Sequence, residues 1–246
     1  MVVHLSDELA WIEECYPIDD ELGHKHVSVY VLGDEQLVLV DSGSFLHRTA
    51  IAVQIESLAA DATIAALVLS HSDYPHAANV RPFVEQGVEL VASSGSPAQQ
   101  GLPDATKCDI GGEMTIAGRR MSFIDPPLAD RSHTTWIFDH GTKTLFTADG
   151  FGSRHQPGSC TATSRDLESG IPPAAIESFH RHELPWLRYV DPERLRMALA
   201  AILDEYEPAW IAPCHGHPIA AEHVRDYLTA LINGAEAIAT ERELSE

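Results

Sequence analysis

The chain of 246 residues carries 37 acidic against 16 basic side chains, a formal net charge of −21, and 44% of its residues are hydrophobic. A chain of this length and composition can bury a full core, and we interpret residues 1–246 as a single domain. Its acidity argues against nucleic acid or an anionic membrane surface as a partner, because phosphate-rich surfaces attract cationic proteins.

The amino-terminal stretch MVVHLSDELAWIEECYPIDD has no basic region followed by an apolar one, and the sequence contains no apolar run of membrane-spanning length. We therefore expect a cytoplasmic protein. The cysteines Cys15, Cys108, Cys160 and Cys214 are scattered without a C-x-x-C pair, which argues against a zinc knuckle or a rubredoxin-type iron site.

The first elements read as strand, strand, helix and strand. HVSVYVLG (26–33) and QLVLVDSG (36–43) are rich in β-branched residues and separated by turn residues, which predicts a hairpin. HRTAIAVQIESLAA has apolar residues at helical spacing, and AALVLS is typical of a buried strand. HAANVRPFVEQG is then predicted to be a helix that ends at Gly87, followed by a strand at VELVAS.

A second block of strands is predicted at MTIAG, RMSFID, HTTWIFDHG and KTLFTADG. Prolines and glycines break the periodicity over 151–190, which we interpret as a partly helical insertion over a site. Asp191 and Pro192 predict the start of a helix, PAWIAPCHGHP a last strand and loop, and the residues from about Pro218 to Gly234 a closing helix. Two blocks of strands, each followed by helices, predict an α/β fold with four layers, two mixed β-sheets packed face to face with helices outside.

Six potential metal ligands stand at the ends of these strands. Loops at strand ends can direct side chains from rigid anchors toward one point, so we expect the six to converge. They are His71, Asp73, His76, His133, Asp149 and His215.

The segments LVLVDSG, SHSDYPH, SHTTWIFDHGTKTLFTADG and IAPCHG resemble, in order, the motifs of the metallo-β-lactamase fold over about residues 24–217. This resemblance implies an αβ/βα sandwich with two metals. In the zinc hydrolases of the fold, the second position of the H-x-H-x-D-H motif is histidine and the fifth is an aspartate that ligates the second metal and handles protons. Here Asp73 and Pro75 occupy those positions.

A carboxylate in place of the second histidine shifts the donor set toward mixed oxygen and nitrogen ligation, which suits non-haem iron. In this respect the chain is similar to the flavodiiron proteins and the oxygen-binding di-iron proteins. The resemblance implies that His71, Asp73 and His133 hold a first iron, that His76 and His215 hold a second, and that Asp149 bridges them. Pro75 offers no ligand atom, so the second site is expected to be weaker.

Four further residues are candidates for the rim of the site or for contacts behind the ligands. By resemblance, Asp41 orients an imidazole of the 71–76 loop, although an aspartate that makes a turn is an equal alternative. His26 and His155 are placed near the metals, and Cys214, directly before His215, is either a packed thiol or a redox-sensitive one.

The leading hypothesis is a di-iron protein that binds or reduces O₂ or NO. We expect two iron ions, with zinc or manganese as the alternatives, and no flavin bound by this chain. No flavodoxin domain follows Glu246 and no rubredoxin cysteines are present, so turnover is expected to need a separate electron-donor protein; a homodimer is left open. The alternatives are a zinc- or manganese-dependent hydrolase of the same fold, with its base moved elsewhere, and a degraded site that only holds a partner.

Overall fold

A computed structural model describes residues 1–19, 23–59, 61–93, 102 and 105–243. Fifteen strands occur in these ranges. They are β1 (Val2–Ser6), β2 (Leu9–Ile12), β3 (Cys15–Asp19), β4 (Gly23–His26), β5 (Val29–Leu32), β6 (Gln36–Val40), β7 (Thr63–Val68), β8 (Glu89–Ser93), β9 (Thr106–Cys108), β10 (Glu113–Ile116), β11 (Arg119–Ile124), β12 (Trp136–Asp139), β13 (Thr144–Phe146), β14 (Trp210–Ala212) and β15 (Ile219–Ala220).

The α-helices of the described ranges are α1 (Arg48–Leu58), α2 (Tyr74–Ala77), α3 (Val80–Glu85), α4 (Pro173–Glu183), α5 (Pro192–Tyr206) and α6 (Val224–Glu243). Short 3₁₀ turns occur at Phe45–His47, Pro185–Tyr189 and Ala221–His223. Among the helices of the described ranges, none combines the length and the apolar character that crossing a bilayer requires.

The strands form two large mixed sheets and one small one. The first sheet has the order β1-β2-β5-β6-β7-β8-β9, the second has the order β10-β11-β12-β13-β14-β15, and β3 pairs with β4. Strands β6 to β9 run parallel to one another, as do β13 and β14, while the other pairs are antiparallel.

Alternation along the strands assigns each sheet face to a separate core, because successive side chains of a strand point to opposite faces. Val38 and Val40 of β6 join a core with Phe123 and Phe146 of the second sheet. The neighbouring Leu37 and Leu39 pack instead with Ile51 and Ile55 of α1.

The outer face of the second sheet packs in the same manner against α4, α5 and α6, with Phe138, Leu145 and Ile211 against Leu199 and Leu231. Three cores separate four layers, so the predicted four-layer α/β sandwich of two mixed β-sheets is confirmed.

The closing helix departs from its predicted bounds. Pro218 leads into β15 and a 3₁₀ turn, and α6 begins at Val224 and continues through Gly234 to Glu243. A Cβ at Gly234 would lie 3.3 Å from Cβ of Glu177 in α4. The glycine therefore permits two helices to approach closely rather than ending one.

Two further differences concern shorter elements. The helix predicted over 76–87 divides into α2 and α3, separated at Ala78 and Asn79, whose side-chain amide donates hydrogen bonds to the carbonyl oxygens of Ser42, Gly43 and Ser44. Strands β1 to β3, for which no strand was predicted, occupy the amino terminus.

Candidate metal centre

The topology gathers the predicted ligands at one edge of the sandwich. Asp41 follows β6 and His71 follows β7, while Asp149 follows β13 and His215 follows β14. Each of these pairs of strands is parallel, so the carboxyl ends lie side by side. His133 precedes β12, which is antiparallel to β13 and therefore begins at the same edge.

His76 is held between two carboxylates. Its Nδ1 lies 2.7 Å from Oδ2 of Asp41, and its Nε2 lies 3.0 Å from Oδ1 of Asp149. Asp41 has a φ of 60° and is itself held by Ser70, whose backbone N–H and hydroxyl both donate to the carboxylate at 2.8 Å. The hydrogen bond at Nδ1 directs Nε2 toward Asp149, which is the usual way in which a protein orients a metal-binding imidazole.

His215 approaches Asp149 from the second sheet. Its Nδ1 donates to the carbonyl oxygen of His26 at 2.5 Å, and its Nε2 lies 3.4 Å from Oδ1 of Asp149. The Nε2 atoms of His76 and His215 thus approach the same carboxylate oxygen. This geometry lets Asp149 act as a shared ligand between two sites.

His71 and Asp73 line the cavity at this edge, and His133 lies beside His71. The rings of His71 and His133 are 6.5 Å apart, and within the described residues the Nε2 atom of each is buried without a hydrogen-bond partner. Donor atoms of His71, Asp73 and Asp130 lie within 4.8 Å of one another. Asp73 also accepts a hydrogen bond from Nε of Arg131 at 2.8 Å.

The charges around His76 favour a cation at this place. Burial alone would lower the pKa of His76, but Cys214, Asp41 and Asp149 hold the pKa well above its ordinary value. Burial opposes ionisation of Asp149, but His215, His76 and His71 hold the pKa of Asp149 well below its ordinary value. In the metal-free protein a proton on His76 balances these carboxylates, and a bound metal ion would displace it.

Burial also lowers the pKa of His71, with His76 as the next cause. Burial lowers the pKa of His215 well below its ordinary value, and the nearby Lys25 acts in the same direction. Both imidazoles are therefore neutral near pH 7, the state in which a nitrogen lone pair can bind a metal.

This donor set fits metal ions. The buried, unpartnered Nε2 atoms of His71 and His133 would each leave a desolvated polar atom unsatisfied unless a ligand is present. Asp149 lies among His71, His76 and His215, and its Oδ1 is approached by Nε2 of both His76 and His215. A cavity of about 370 Å³ opens onto His71, Asp149 and His215 and is also lined by Pro75, Lys25 and Trp186.

The predicted accessory residues divide into three cases. Asp41 contacts His76 directly, and His26 contributes its backbone carbonyl to His215. Cys214 places its sulfur within 4.8 Å of ligand nitrogens of His76 and His215. His155 lies instead in a separate cluster with Cys15, His24 and Cys160.

Sequence reasoning missed Asp130 and Lys25. Asp130 Oδ2 lies 3.5 Å from Nε2 of His71, and its place three residues before His133 was an available signal. Lys25 is buried beside the cavity with Nζ 2.8 Å from Oε2 of Glu183. Nothing in the local sequence indicates this pairing, because Lys25 and Glu183 come from distant parts of the chain.

A family profile described as "ODP family beta lactamase" matches residues 25–216, the span that contains every one of the six predicted ligands. The chain belongs to this family. Its membership agrees with the metallo-β-lactamase fold.

Relatives of this ODP family member include flavoproteins. The type A flavoprotein fprA of Rhodobacter capsulatus is 27% identical over 212 residues, which is 81% of this chain and 46% of that protein. The chain thus spans about half the length of this curated relative.

Solved structures similar to the ODP family member include flavodiiron proteins. A flavo di-iron protein variant from Thermotoga maritima matches with a TM-score of 0.77 at 16% identity, covering 96% of this chain and 61% of that one. Rubredoxin oxygen:oxidoreductase from Desulfovibrio gigas matches with a TM-score of 0.76 at 17% identity, covering 96% and 62%. At these identities the likeness concerns the fold.

Proposed function

We propose that this ODP family member is a non-haem di-iron protein that binds or reduces O₂ or NO. His71, Asp73 and His133 would hold the first iron, His76 and His215 the second, and Asp149 would bridge them. Asp130, 3.5 Å from Nε2 of His71, is an additional oxygen donor on the first side. Mixed imidazole and carboxylate ligands suit iron, and bound iron would supply the redox chemistry and the open position for a gas molecule.

The buried Nε2 atoms of His71 and His133, without hydrogen-bond partners among the described residues, are the observation that carries this proposal. A donor nitrogen of His71 lies within 4.8 Å of carboxylate oxygens of Asp73 and Asp130, and the ring of His133 is 6.5 Å from that of His71. Burying a polar atom without a hydrogen bond costs free energy, and a bound ligand would offset this cost at each nitrogen.

The chain's own residues orient and enclose the site. Asp41 and the carbonyl oxygen of His26 hold the outer nitrogens of His76 and His215, so that both Nε2 atoms point inward. Trp186 and Pro185, from the turn after α4, line the cavity. Lys25 and Arg131 place positive charge at the cavity wall, where they would offset the carboxylates.

Electrons would come from a separate donor protein. The Desulfovibrio gigas protein is named a rubredoxin oxygen:oxidoreductase, and the Rhodobacter capsulatus protein is named a flavoprotein. We propose that the electron donor is a small redox protein, either a rubredoxin or a flavoprotein. We expect both proteins to be in the cytoplasm.

The test is anaerobic purification without added metal, followed by loading with Fe²⁺ and measurement of iron per chain. We expect about two irons, a Mössbauer spectrum of high-spin iron with oxygen and nitrogen ligands, and O₂ or NO consumption with a chemical reductant. His71→Ala should lower the iron content, whereas His4→Ala, at an exposed position of β1, should not. Iron that fails to bind, or that binds equally to the His71 variant, would contradict the proposal.

A metal-dependent hydrolase is the second candidate, and the cations in the cavity favour it. Lys25 and Arg131 line the same cavity as Asp149 and His215, so that an anionic substrate group could be held beside the metals. Zinc-loaded protein that hydrolyses phosphate or carboxylate esters, with the activity lost on chelation, would replace the first proposal with this one.

A further inference from the structure

A second group of metal-ligand side chains lies apart from the candidate centre. We call it the thiol–imidazole cluster and define it as Cys15, His24, His155 and Cys160. One ligand atom from each of the four lies within 4.8 Å of the other three. The residues come from β3, from β4 and from the segment that follows β13, so only the folded chain assembles them.

The distances within the cluster are close to those of a tetrahedral zinc site. With Zn–S near 2.3 Å and Zn–N near 2.05 Å, ideal tetrahedral geometry separates sulfur from nitrogen by about 3.6 Å and sulfur from sulfur by about 3.8 Å. Nδ1 of His24 lies 3.5 Å from Sγ of Cys15 and 3.7 Å from Sγ of Cys160. The two sulfurs are 3.2 Å apart, so they would separate by about half an ångström around a zinc ion.

The backbone holds these side chains in register. The N–H of His24 donates to the carbonyl of His155 at 2.8 Å, and the N–H of His155 donates back at 3.2 Å. Gly23, with a φ of +71°, permits this approach, because a Cβ at that position would lie 2.5 Å from the His155 carbonyl oxygen. The carbonyl of Cys160 accepts a hydrogen bond from Nε2 of His26 at 2.7 Å.

His155 supplies an independent sign of a ligand. Its residue is 5% exposed, and neither ring nitrogen has a hydrogen-bond partner within the described part of the chain. Burial lowers its pKa to about 3, with His217 as the next cause, so the ring is neutral at physiological pH. A buried imidazole with both nitrogens unsatisfied costs free energy that a metal ion would recover.

We propose that the thiol–imidazole cluster binds one Zn²⁺ as a closed, four-coordinate Cys₂His₂ site with a structural role. Both thiols lose their protons on binding, so Zn²⁺ replaces two protons and the site is electrically neutral. Four protein ligands leave no open position, which is the arrangement of structural rather than catalytic zinc.

The zinc would fasten the β3–β4 hairpin to the segment after Asp149. The ring of His26 stacks on that of His155, with centroids 3.8 Å apart and an interplanar angle of 16°. The carbonyl of the same His26 accepts the hydrogen bond from Nδ1 of His215. The zinc site therefore stabilises the backbone that positions His215, although it stands independently of the function proposed for the candidate centre.

A disulfide between Cys15 and Cys160 is the competing arrangement. The 3.2 Å between the sulfurs exceeds the bond length of about 2.05 Å, and both cysteines are free. Zinc binding and a disulfide exclude each other, since both use the same two sulfur atoms.

The test measures sulfur-ligated zinc in the full chain, stripped of metal under reducing conditions and then titrated with Zn²⁺. X-ray absorption at the zinc edge should show one zinc per chain with two sulfur ligands at about 2.3 Å. Cys15→Ser and Cys160→Ser should each reduce the sulfur signal and lower the unfolding temperature of the zinc-loaded protein. Cys108→Ser, which changes a cysteine in the sheet core, should keep the signal.

Two further variants separate the sites. Asp149→Ala should reduce iron binding at the candidate centre and leave the sulfur-ligated zinc in place. Cys214→Ser should likewise leave it in place, because Cys214 groups with His76 and His215. A sulfur signal that disappears with Cys214→Ser but survives Cys15→Ser, or reduced wild-type protein that binds no sulfur-ligated zinc, would overturn the proposal.

Discussion

At the scale of single residues, Pro75 is the position where this chain departs most clearly from the metal-binding motifs it resembles. It stands in the first turn of α2, between Asp73 and His76, and lines the cavity. Its side chain adds no ligand to the side of the pocket formed by His76 and His215. Asp73, Asp130 and Asp149 each place a carboxylate oxygen within 4.8 Å of a ring nitrogen of His71.

We predict that Pro75→Asp will increase retention of the second metal ion, because it adds an anionic oxygen donor beside the imidazoles of His76 and His215 and the carboxylate of Asp149. The lost proline rigidity, about 0.4 to 1 kcal/mol, should be smaller than the gain from a new metal–carboxylate bond. The measurement is metal per chain after dialysis against a weak chelator. Pro75→Ala, which removes the ring without adding a ligand, should behave as the wild type; equal retention in all three proteins would make Pro75 a bystander.

Asp41 is the second informative residue, since it accepts hydrogen bonds from His76 and twice from Ser70. Asp41→Asn preserves the shape, and asparagine tolerates the left-handed backbone, but the negative charge behind His76 is lost. We predict that metal affinity will fall about 10- to 100-fold, as for other residues that orient a ligand. Competition with a coloured chelator measures this affinity, and an unchanged value would show that Ser70 and the backbone alone orient His76.

At the scale of elements, α5 begins as its sequence predicts. Oδ1 of Asp191 accepts hydrogen bonds from the N–H groups of Glu193 at 3.0 Å and Arg194 at 3.3 Å, and Pro192 occupies the first turn. Leu195 and Leu199 then enter the core between the second sheet and the helices. The N-cap and the spacing of the apolar residues therefore both predict where α5 begins and which face it buries.

We predict that Asp191→Ala will lower the free energy of unfolding by about 1 kcal/mol, the usual cost of losing a helix cap. Asp204→Ala removes an exposed aspartate from the last turn of the same helix, where it is not the N-cap, and serves as the control. Chemical denaturation of both variants provides the comparison. A loss of equal size at Asp204 would mean that overall charge, rather than the cap, is responsible.

Helix α4 shows how an insertion can become part of the core. Phe179 is fully buried, and a Cβ added at Gly152 would lie 2.1 Å from its ring, so the loop after Asp149 packs directly on the helix. The predicted insertion at 151–190 thus contributes α4, the turn with Trp186, and residues that line the cavity. A change in the packing of α4 would therefore also change the shape of the cavity at the candidate centre.

At the scale of the whole molecule, buried neutral histidines make the fold sensitive to acid. Burial lowers the pKa of His180 to about 4, against an ordinary value near 6.5. Between these values the unfolded chain binds more protons than the folded one, so the stability contributed by neutral His180 is present above pH 6.5 and is lost as pH falls toward 4.

Between pH 7.5 and pH 5 the free energy of unfolding of the wild type should fall. We predict that it will fall less in His180→Leu, with a difference on the order of 2 kcal/mol. The measurement is denaturant unfolding of metal-free protein at both pH values, comparing the changes rather than the absolute stabilities. His182→Leu, at an exposed position of the same helix, is the control and should follow the wild type. Parallel pH profiles for all three would assign the acid sensitivity to other groups.

Much of the fold was predictable from the sequence because its signals are local. The β5–β6 hairpin, the buried strand β7 and strands β10 to β14 of the second sheet follow from apolar patterning and from turn residues. The end of α6 was not predictable in this way, since Gly234 resembles a helix terminus in sequence but contacts Glu177 across a helix interface. Strand pairing at the amino terminus likewise depends on partners that a local pattern does not contain.

For the candidate centre, the six candidate ligands could be predicted from the sequence, because metal-binding residue types at successive strand ends are visible along the chain. Only the tertiary structure brought in Asp130 and Lys25 and placed Asp41 behind His76. It also placed Sγ of Cys15 3.2 Å from Sγ of Cys160, 145 positions away, a proximity that the scattered cysteines of the sequence did not predict. These contacts depend on how two sheets and a hairpin meet, and that arrangement is set by the packing of three cores rather than by any short stretch of sequence.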